Sequence, residues 1–313
     1  MAKRALIYGI GGQDGFYLSK LLSEKGYEVV GVLHKEAEVP CPQKTYVADF
    51  TGSKEEYLFP IGDFSPDEIY NLAGMSSPPL ADANPSLALA INSQPAIEIL
   101  GKLHQEKSNA RFFQASSMYM FSGVQKISEG TPPSPKGAYG NSKLQAHLAV
   151  SQFRAKGVFA CSGILFNHES PIRPKNFVTR KISLAAAGFS LGVRKSPLPM
   201  GNLDAQRDWG FAGDFVGAMW LMLQQKTPDD YVIATGVSHT VQDFCKEAFS
   251  HVGLDYEKCI TIDKSLIRPS EINITADIGK ISSIGWKPKT SFRSLVHMMV
   301  DEDVKILQEG GTI

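Results

Sequence analysis

The sequence predicts an α/β protein: a doubly wound parallel sheet with a smaller, interleaved domain toward the C-terminus. Three observations carry this. Strand-like and helix-like stretches alternate through the first half, the signature of a parallel sheet covered by helices on both faces. The first strand breaks into a run of glycines. A later strand ends in serines and is followed by a tyrosine and a lysine one helical turn apart.

The elements follow in order. The opening MAKRALIYGIGG is basic, then apolar, but the apolar run stops at Ile10 and reads as a first buried strand instead of an export signal. Leu18, Leu21 and Leu22 come next at helical spacing, then YEVVGVL, EIYNLAG and RFFQASS as further buried strands. From about residue 167 the texture changes to loops rich in Pro, Asn and Arg (NHESPIRPKN, KSPLPMGNLDAQRD). The helix-like AGDFVGAMWLMLQQ and strand-like DYVIATG restore the earlier pattern. We therefore expect a nucleotide-binding domain over 1–166, rejoined at 204–236, and a substrate domain over 167–203 and 237–313.

Composition narrows the classes. With 43% apolar and 20% charged residues in a chain of 313, a sizeable core is expected. Lys+Arg and Asp+Glu balance at 32 each, so no global field draws the chain to nucleic acid or to an anionic membrane. An anionic substrate must be held by a local cluster. No apolar run approaches a membrane span. Cys41, Cys161, Cys245 and Cys259 show neither C-x-x-C nor zinc spacing, which points to free thiols in a reducing cytoplasm. His104, His147, His239, His251 and His297 show no metal-ligand spacing either, so no metal is expected.

The glycines carry chemistry. Gly9, Gly12 and Gly15 form G-x-x-G-x-x-G between a strand and a helix, with Gln13 and Asp14 inside the turn. Such a turn is tight, lets backbone approach a pyrophosphate, and opens onto the free N–H groups of a helix N-terminus. A dinucleotide is expected there, and the sheet is then Rossmann-type. His34 and Lys35 end the second strand where a 2′-phosphate would lie, favouring NADP, while nearby Glu36 leaves NAD open. Asp49, with Phe50, is expected near the adenine, and Leu72, Ala73 and Gly74 along the rest of the cofactor.

Tyr139 and Lys143 form Y-x-x-x-K. An ammonium beside a phenol favours the phenolate, and an oxidised nicotinamide would add positive charge, so Tyr139 is expected to act as a base below the free value of about 10. Ser117, at the end of the preceding strand, would hold the substrate oxygen whose proton the tyrosine removes.

Glycine turn, strand-end serine and Y-x-x-x-K, in that order, resemble the extended short-chain dehydrogenase/reductase superfamily. GILFNHESP (163–171), FVTRKI (177–182), GNLDAQRDWG (201–210), YVIATG (231–236) and RPSE (268–271) are more specific and resemble the GDP-mannose 4,6-dehydratase family. The resemblance implies a GDP-sugar substrate, oxidation at C4, and a homodimer formed through the helix carrying Tyr139 and Lys143. It implies that Asn167 lies at the sugar or diphosphate, that Val178 and Lys181 contact the nucleotide, and that Asn202 and Leu203 line the guanine site. Arg207 and Arg268 would hold the phosphates, Glu271 would bind ribose hydroxyls, and Ser76 would complete the substrate set. His168 and Glu169 are expected to form a hydrogen-bonded structural pair, and Trp209 and Trp220 to serve as core or wall.

One position departs from the pattern. The family uses a glutamate two residues beyond the Ser/Thr to move protons during water loss across C5–C6; here that residue is Tyr119. A phenol can donate a proton to a leaving hydroxyl but is a poor base for a carbon acid. Residues 36–45 are also short and lack the family's paired arginines. Three readings follow: a 4,6-dehydratase in which Tyr119, or a carboxylate from elsewhere in space, replaces the glutamate; a C4 epimerase or 4-keto reductase, which needs only Ser117, Tyr139 and Lys143; and a silent nucleotide-sugar sensor, against which the intact Tyr/Lys pair argues.

Overall fold

The computed structural model of the protein describes residues 2–34, 43–267 and 274–312. Its first half runs β1 (Arg4–Tyr8), α1 (Gln13–Glu24), β2 (Glu28–Leu33), β3 (Lys44–Val47), α2 (Lys54–Phe64), β4 (Glu68–Asn71), α3 (Pro78–Ala83), α4 (Pro85–Asn92), α5 (Gln94–Gln105) and β5 (Arg111–Ser117). Then come β6 (Lys126–Ile127), α6 (Gly137–Ala155), β7 (Ala160–Leu165), β8 (Asn167–Glu169), α7 (Val178–Ser190), β9 (Leu198–Met200) and β10 (Gln206–Phe211). The remainder is α8 (Ala212–Leu223), β11 (Tyr231–Ile233), β12 (Ser238–Thr240), α9 (Val241–His251), β13 (Ile260–Ile262), β14 (Thr275–Ala276), α10 (Gly279–Ser283) and α11 (Phe292–Gln308).

Seven strands form one parallel sheet in the order β11-β7-β5-β4-β1-β2-β3. Strand alternation sends Leu6 and Tyr8 to one face and Ala5 and Ile7 to the other. On the first face they meet Ile61 and Phe64 of α2, Ile99 and Leu103 of α5, and Ala146 and Val150 of α6. On the second they meet Leu18 and Leu22 of α1 and Phe215, Met219 and Met222 of α8. The order reverses between β1 and β4, and the crevice above such a reversal is where a parallel sheet binds ligand.

A third core joins Ile182 and Ala186 of α7, Phe244 and Phe249 of α9 and Leu295 and Met299 of α11, with Trp209 among them. A buried Arg180–Asp303 ion pair ties α7 to α11 at 2.6 Å. Over this core lies a small sheet, β12-β10-β8. The segments expected to be loops thus contain three strands, because β8 and β9 are only three residues long and β10 is held by cross-strand pairing, which local composition does not report. The α/β pattern resumes with α8 and β11, and Ile281 and Trp286 near the C-terminus pack into the second sheet core.

Among the described residues no helix is long and apolar enough to cross a membrane, and no group of three or more metal-binding side chains occurs. Cys161, Cys245 and Cys259 are buried free thiols. Trp220 stacks under Lys25, its ring centroid 3.7 Å from Nζ.

Candidate active site

A cavity of about 710 Å³ opens above the strand-order reversal, between the seven-stranded sheet and the α7, β9 and β10 region. The glycine turn lies at its base. Gly9 has φ +81°, and a Cβ there would meet Ala73 N at 2.8 Å; a Cβ on Gly15 would meet Gly9 O at 2.4 Å. Only glycine permits both approaches. The N-cap of α1 is Gly12, with no side chain bonded to the first N–H groups. A close-packed, uncapped helix N-terminus fits a dinucleotide pyrophosphate.

The side chains of that turn are engaged elsewhere. Gln13 donates to His168 O at 3.1 Å and accepts from Ser170 Oγ at 2.7 Å. Asp14 lines the cavity and faces His168, Oδ2 to Nε2, at 2.9 Å. Burial pushes the Asp14 carboxyl up, but the imidazole's charge and hydrogen bond outweigh it and hold it below its usual value. Burial likewise pulls His168 down, and Asp14 more than restores it. His168 Nδ1 meets Phe166 O at 2.8 Å, so Nδ1 carries a proton. Contrary to expectation, His168 and Glu169 do not bond to each other: strand alternation separates them, and Glu169 takes Thr179 Oγ1 at 2.6 Å and Arg173 Nε at 3.1 Å.

Leu72 and Gly74 line the cavity, and Ala73 underlies Gly9. His34, Asp49 and Phe50 gather past the ends of β2 and β3: His34 Nδ1 lies 3.8 Å from Asp49 Oδ1 and stacks on Phe50. They do not line this cavity, and the Phe50 ring packs into the first sheet core. Lys35, Arg268 and Glu271 lie outside the described residues, as does Cys41.

The residues expected to be catalytic stand at the end of β5 and the start of α6. Ser117, Tyr119, Tyr139 and Lys143 all line the cavity. Ser117 Oγ accepts from Tyr119 N at 3.3 Å and hydrogen-bonds the Tyr139 phenol. Lys143 is 6% exposed, and its Nζ donates to Ala115 O at 3.1 Å. Burial pushes the Tyr139 phenol up to about 12 against the opposing hydrogen bond from Ser117, and burial pulls Lys143 down to about 8. In the protein alone desolvation outweighs the Ser117 hydrogen bond and the Arg173 charge, while the expected base also counts on the charge of an oxidised nicotinamide.

The substrate side is partly as expected. Ser76, Asn167, Val178, Lys181, Asn202 and Arg207 line the cavity. Asn167 Oδ1 is buried without a hydrogen-bond partner among the described residues, an acceptor that awaits a ligand donor. Leu203 instead turns into the third core and supports the loop from behind. The carboxylates on the cavity wall, among the described residues, are Asp14, Glu169 and Asp204, and the first two are already paired.

Sequence reasoning missed Arg173. It lines the cavity, stacks over Phe177 with its guanidinium carbon 3.6 Å from the ring centroid, and its charge opposes the upward shift of Tyr139. Its only sequence signal is an arginine in the same proline-rich segment as Asn167.

With the geometry in hand, the chain can be compared with known proteins. The family model described as GDP-mannose 4,6 dehydratase matches residues 6–299. GDP-mannose 4,6 dehydratase 1 of Arabidopsis thaliana is 42% identical, over 97% of this chain and 90% of that protein. RMD from Pseudomonas aeruginosa, solved with NADPH, superposes with TM-score 0.81 at 20% identity, covering 97% of this chain and 100% of that one. The dTDP-glucose 4,6-dehydratase of Bacillus anthracis, solved with NAD, gives 0.83 at 16% identity over 99% of both chains. At such identity the solved structures establish the fold alone.

Proposed function

The chain belongs to the GDP-mannose 4,6-dehydratase family, and on that premise we propose that its cavity converts a GDP-hexose to the 4-keto-6-deoxy sugar. One observation carries the reading: Ser117, Tyr139 and Lys143 line the same cavity as Asn167, Lys181 and Arg207.

Gly9, Gly12 and Gly15 with the α1 N-terminus would hold the cofactor's pyrophosphate, and His34 with Lys35 favours NADP over NAD. A nicotinamide held there would supply hydride transfer, out of the sugar C4 and back to C6. Ser117 orients the 4-hydroxyl, and Tyr139 takes its proton. Lys143, charged below about 8, stabilises the phenolate. Tyr119 stands beside Tyr139, the two rings meeting edge to face. Tyr119 would then give its proton to the departing 6-hydroxyl while the C5 proton, acidified by the 4-keto group, passes to the Tyr119 oxygen, so that water leaves and the phenol is restored. Asn167 Oδ1 accepts from a sugar hydroxyl, and Arg207 and Lys181 offset the diphosphate charge.

Incubation with GDP-mannose and catalytic NADP tests the reading. Loss of one water without net reduced cofactor is expected. Unchanged mass would favour C4 epimerisation or 4-keto reduction, which need no acid at Tyr119.

The helix α6 leaves Leu148 40% exposed, as α4 leaves Leu87 39%, and these apolar positions support a homodimer through α6; a sedimentation mass of one chain would overturn it. The buried thiols fit a reducing cytoplasm, and modification of folded protein by a thiol reagent at all three would contradict their structural role.

A further inference from the structure

Within a cavity stocked with Lys143, Arg173, Lys181 and Arg207, one carboxylate has no counterpart. Asp204 lines the wall, is exposed, and among the described residues no hydrogen bond or ion pair reaches its side chain. An uncompensated negative charge there repels a diphosphate, so the position is unfavourable unless the ligand presents donors to it.

The loop carrying it is held rigidly. Asp263 N donates to Met200 O at 2.8 Å, Gln242 N to Leu203 O at 2.9 Å, and Val241 N to Ala205 O at 3.0 Å. Asp204 N itself donates to Asn202 Oδ1 at 2.9 Å. A Cβ on Gly201 would meet Leu266 O at 2.6 Å, so the adjoining backbone is packed without slack. Pro199 and Leu266 supply apolar surface on the same wall. A carboxylate carried on a pinned backbone beside apolar surface suits a flat heterocycle with donors on one edge.

We propose that Asp204 reads the nucleotide base, its two carboxylate oxygens accepting the N1–H and 2-amino N–H of guanine. Guanine alone among the common bases places two donors side by side on that edge. Uracil flanks its single N–H with carbonyl oxygens, and adenine and cytosine set an amino group beside a ring acceptor; each would bring a lone pair against the carboxylate. Asp204 is a specificity-determining residue, and the assignment rests on the GDP-sugar reading above.

The test is equilibrium binding of GDP, IDP and UDP to the NADPH-loaded protein, for the native chain and for Asp204→Ala and Asp204→Asn. IDP keeps N1–H and lacks only the 2-amino group. The native protein is expected to hold GDP about tenfold or more tighter than IDP, and UDP weaker still. Both variants should bring GDP and IDP within about threefold by weakening GDP, with an unchanged melting temperature marking an intact fold. The Asn202 turn uses only the Asp204 backbone, so at least one variant should fold. A GDP-to-IDP ratio as large in the variants as in the native chain would overturn the Asp204 assignment and leave the GDP-sugar reading standing. Failure of the native protein to bind GDP, with UDP bound instead, would overturn both.

Discussion

Tyr119 and Tyr139 meet edge to face, their ring centroids 5.5 Å apart and their planes at 80°. Two phenols in such contact cannot both ionise readily, so taking one proton fixes the other in place. On the proposed mechanism the pair would divide proton transfers between two side chains of one chemical type.

Tyr119→Phe keeps the edge-to-face packing and removes only the hydroxyl. In a single turnover, reduced nicotinamide should appear at the native rate, while water loss slows by about 10²–10⁴-fold. Rapid-quench mass analysis separates the steps. Native dehydration in the variant would remove Tyr119 from the proton path.

Lys143 carries a stability signature as well as a catalytic one. Burial places it at about 8 against an ordinary 10.5, so the folded state favours the neutral amine. The cost of burying the charge is fully present below pH 8 and fades as pH rises toward 10.5. Lys143→Met should therefore be more stable than the native protein by about 3 kcal/mol at neutral pH. That margin should shrink above pH 8, while kcat/KM falls at least about 10²-fold. Denaturant titrations across pH give the sign; a margin independent of pH would refute the linkage.

The Asp14–His168 pair makes the opposite prediction. Asp14 is lowered below 3.8, so its contribution holds above that value and is lost as pH falls through the lower folded value. His168 is raised above 6.5, so its contribution holds below 6.5 and is lost as pH rises through the raised value. His168→Gln should cost about 1–3 kcal/mol between pH 4 and 6.5 and less at both extremes. Thermal melts over that range would show it, and a cost that grows on the alkaline side would contradict the pairing.

Gly140 sits under Tyr119: a Cβ there would meet Tyr119 O at 2.3 Å. Gly140→Ala must push the Tyr119 turn away from α6, at a cost of about 1–3 kcal/mol. We expect kcat to fall while GDP affinity stays unchanged, since the proposed base site lies on another loop. Equal losses in both would mean that the whole cavity had moved.

The large sheet was readable because its strands are apolar on both faces and the first ends in a glycine turn, so period and punctuation agree. Ser117, Tyr139 and Lys143 were readable for a related reason: one strand end and one helical turn place them, with no help from distant chain. The small sheet was hidden, since β8 and β12 have three residues each and exist through pairing with β10. Asp14 and His168 are 154 positions apart, and only the folded sheet makes them partners. Leu203, expected on the wall by motif, is half-buried against the third core, a packing that the local sequence does not report.

The proton-moving groups stand on α6 and the tip of β5, while Asn202, Asp204 and Arg207 belong to a stretch pinned to α9 and β13. Chemistry and address are written on separate pieces of scaffold. The nucleotide label could then be exchanged by grafting a different 201–207 segment, leaving the oxidation machinery to work unchanged on whatever hexose the new label delivers.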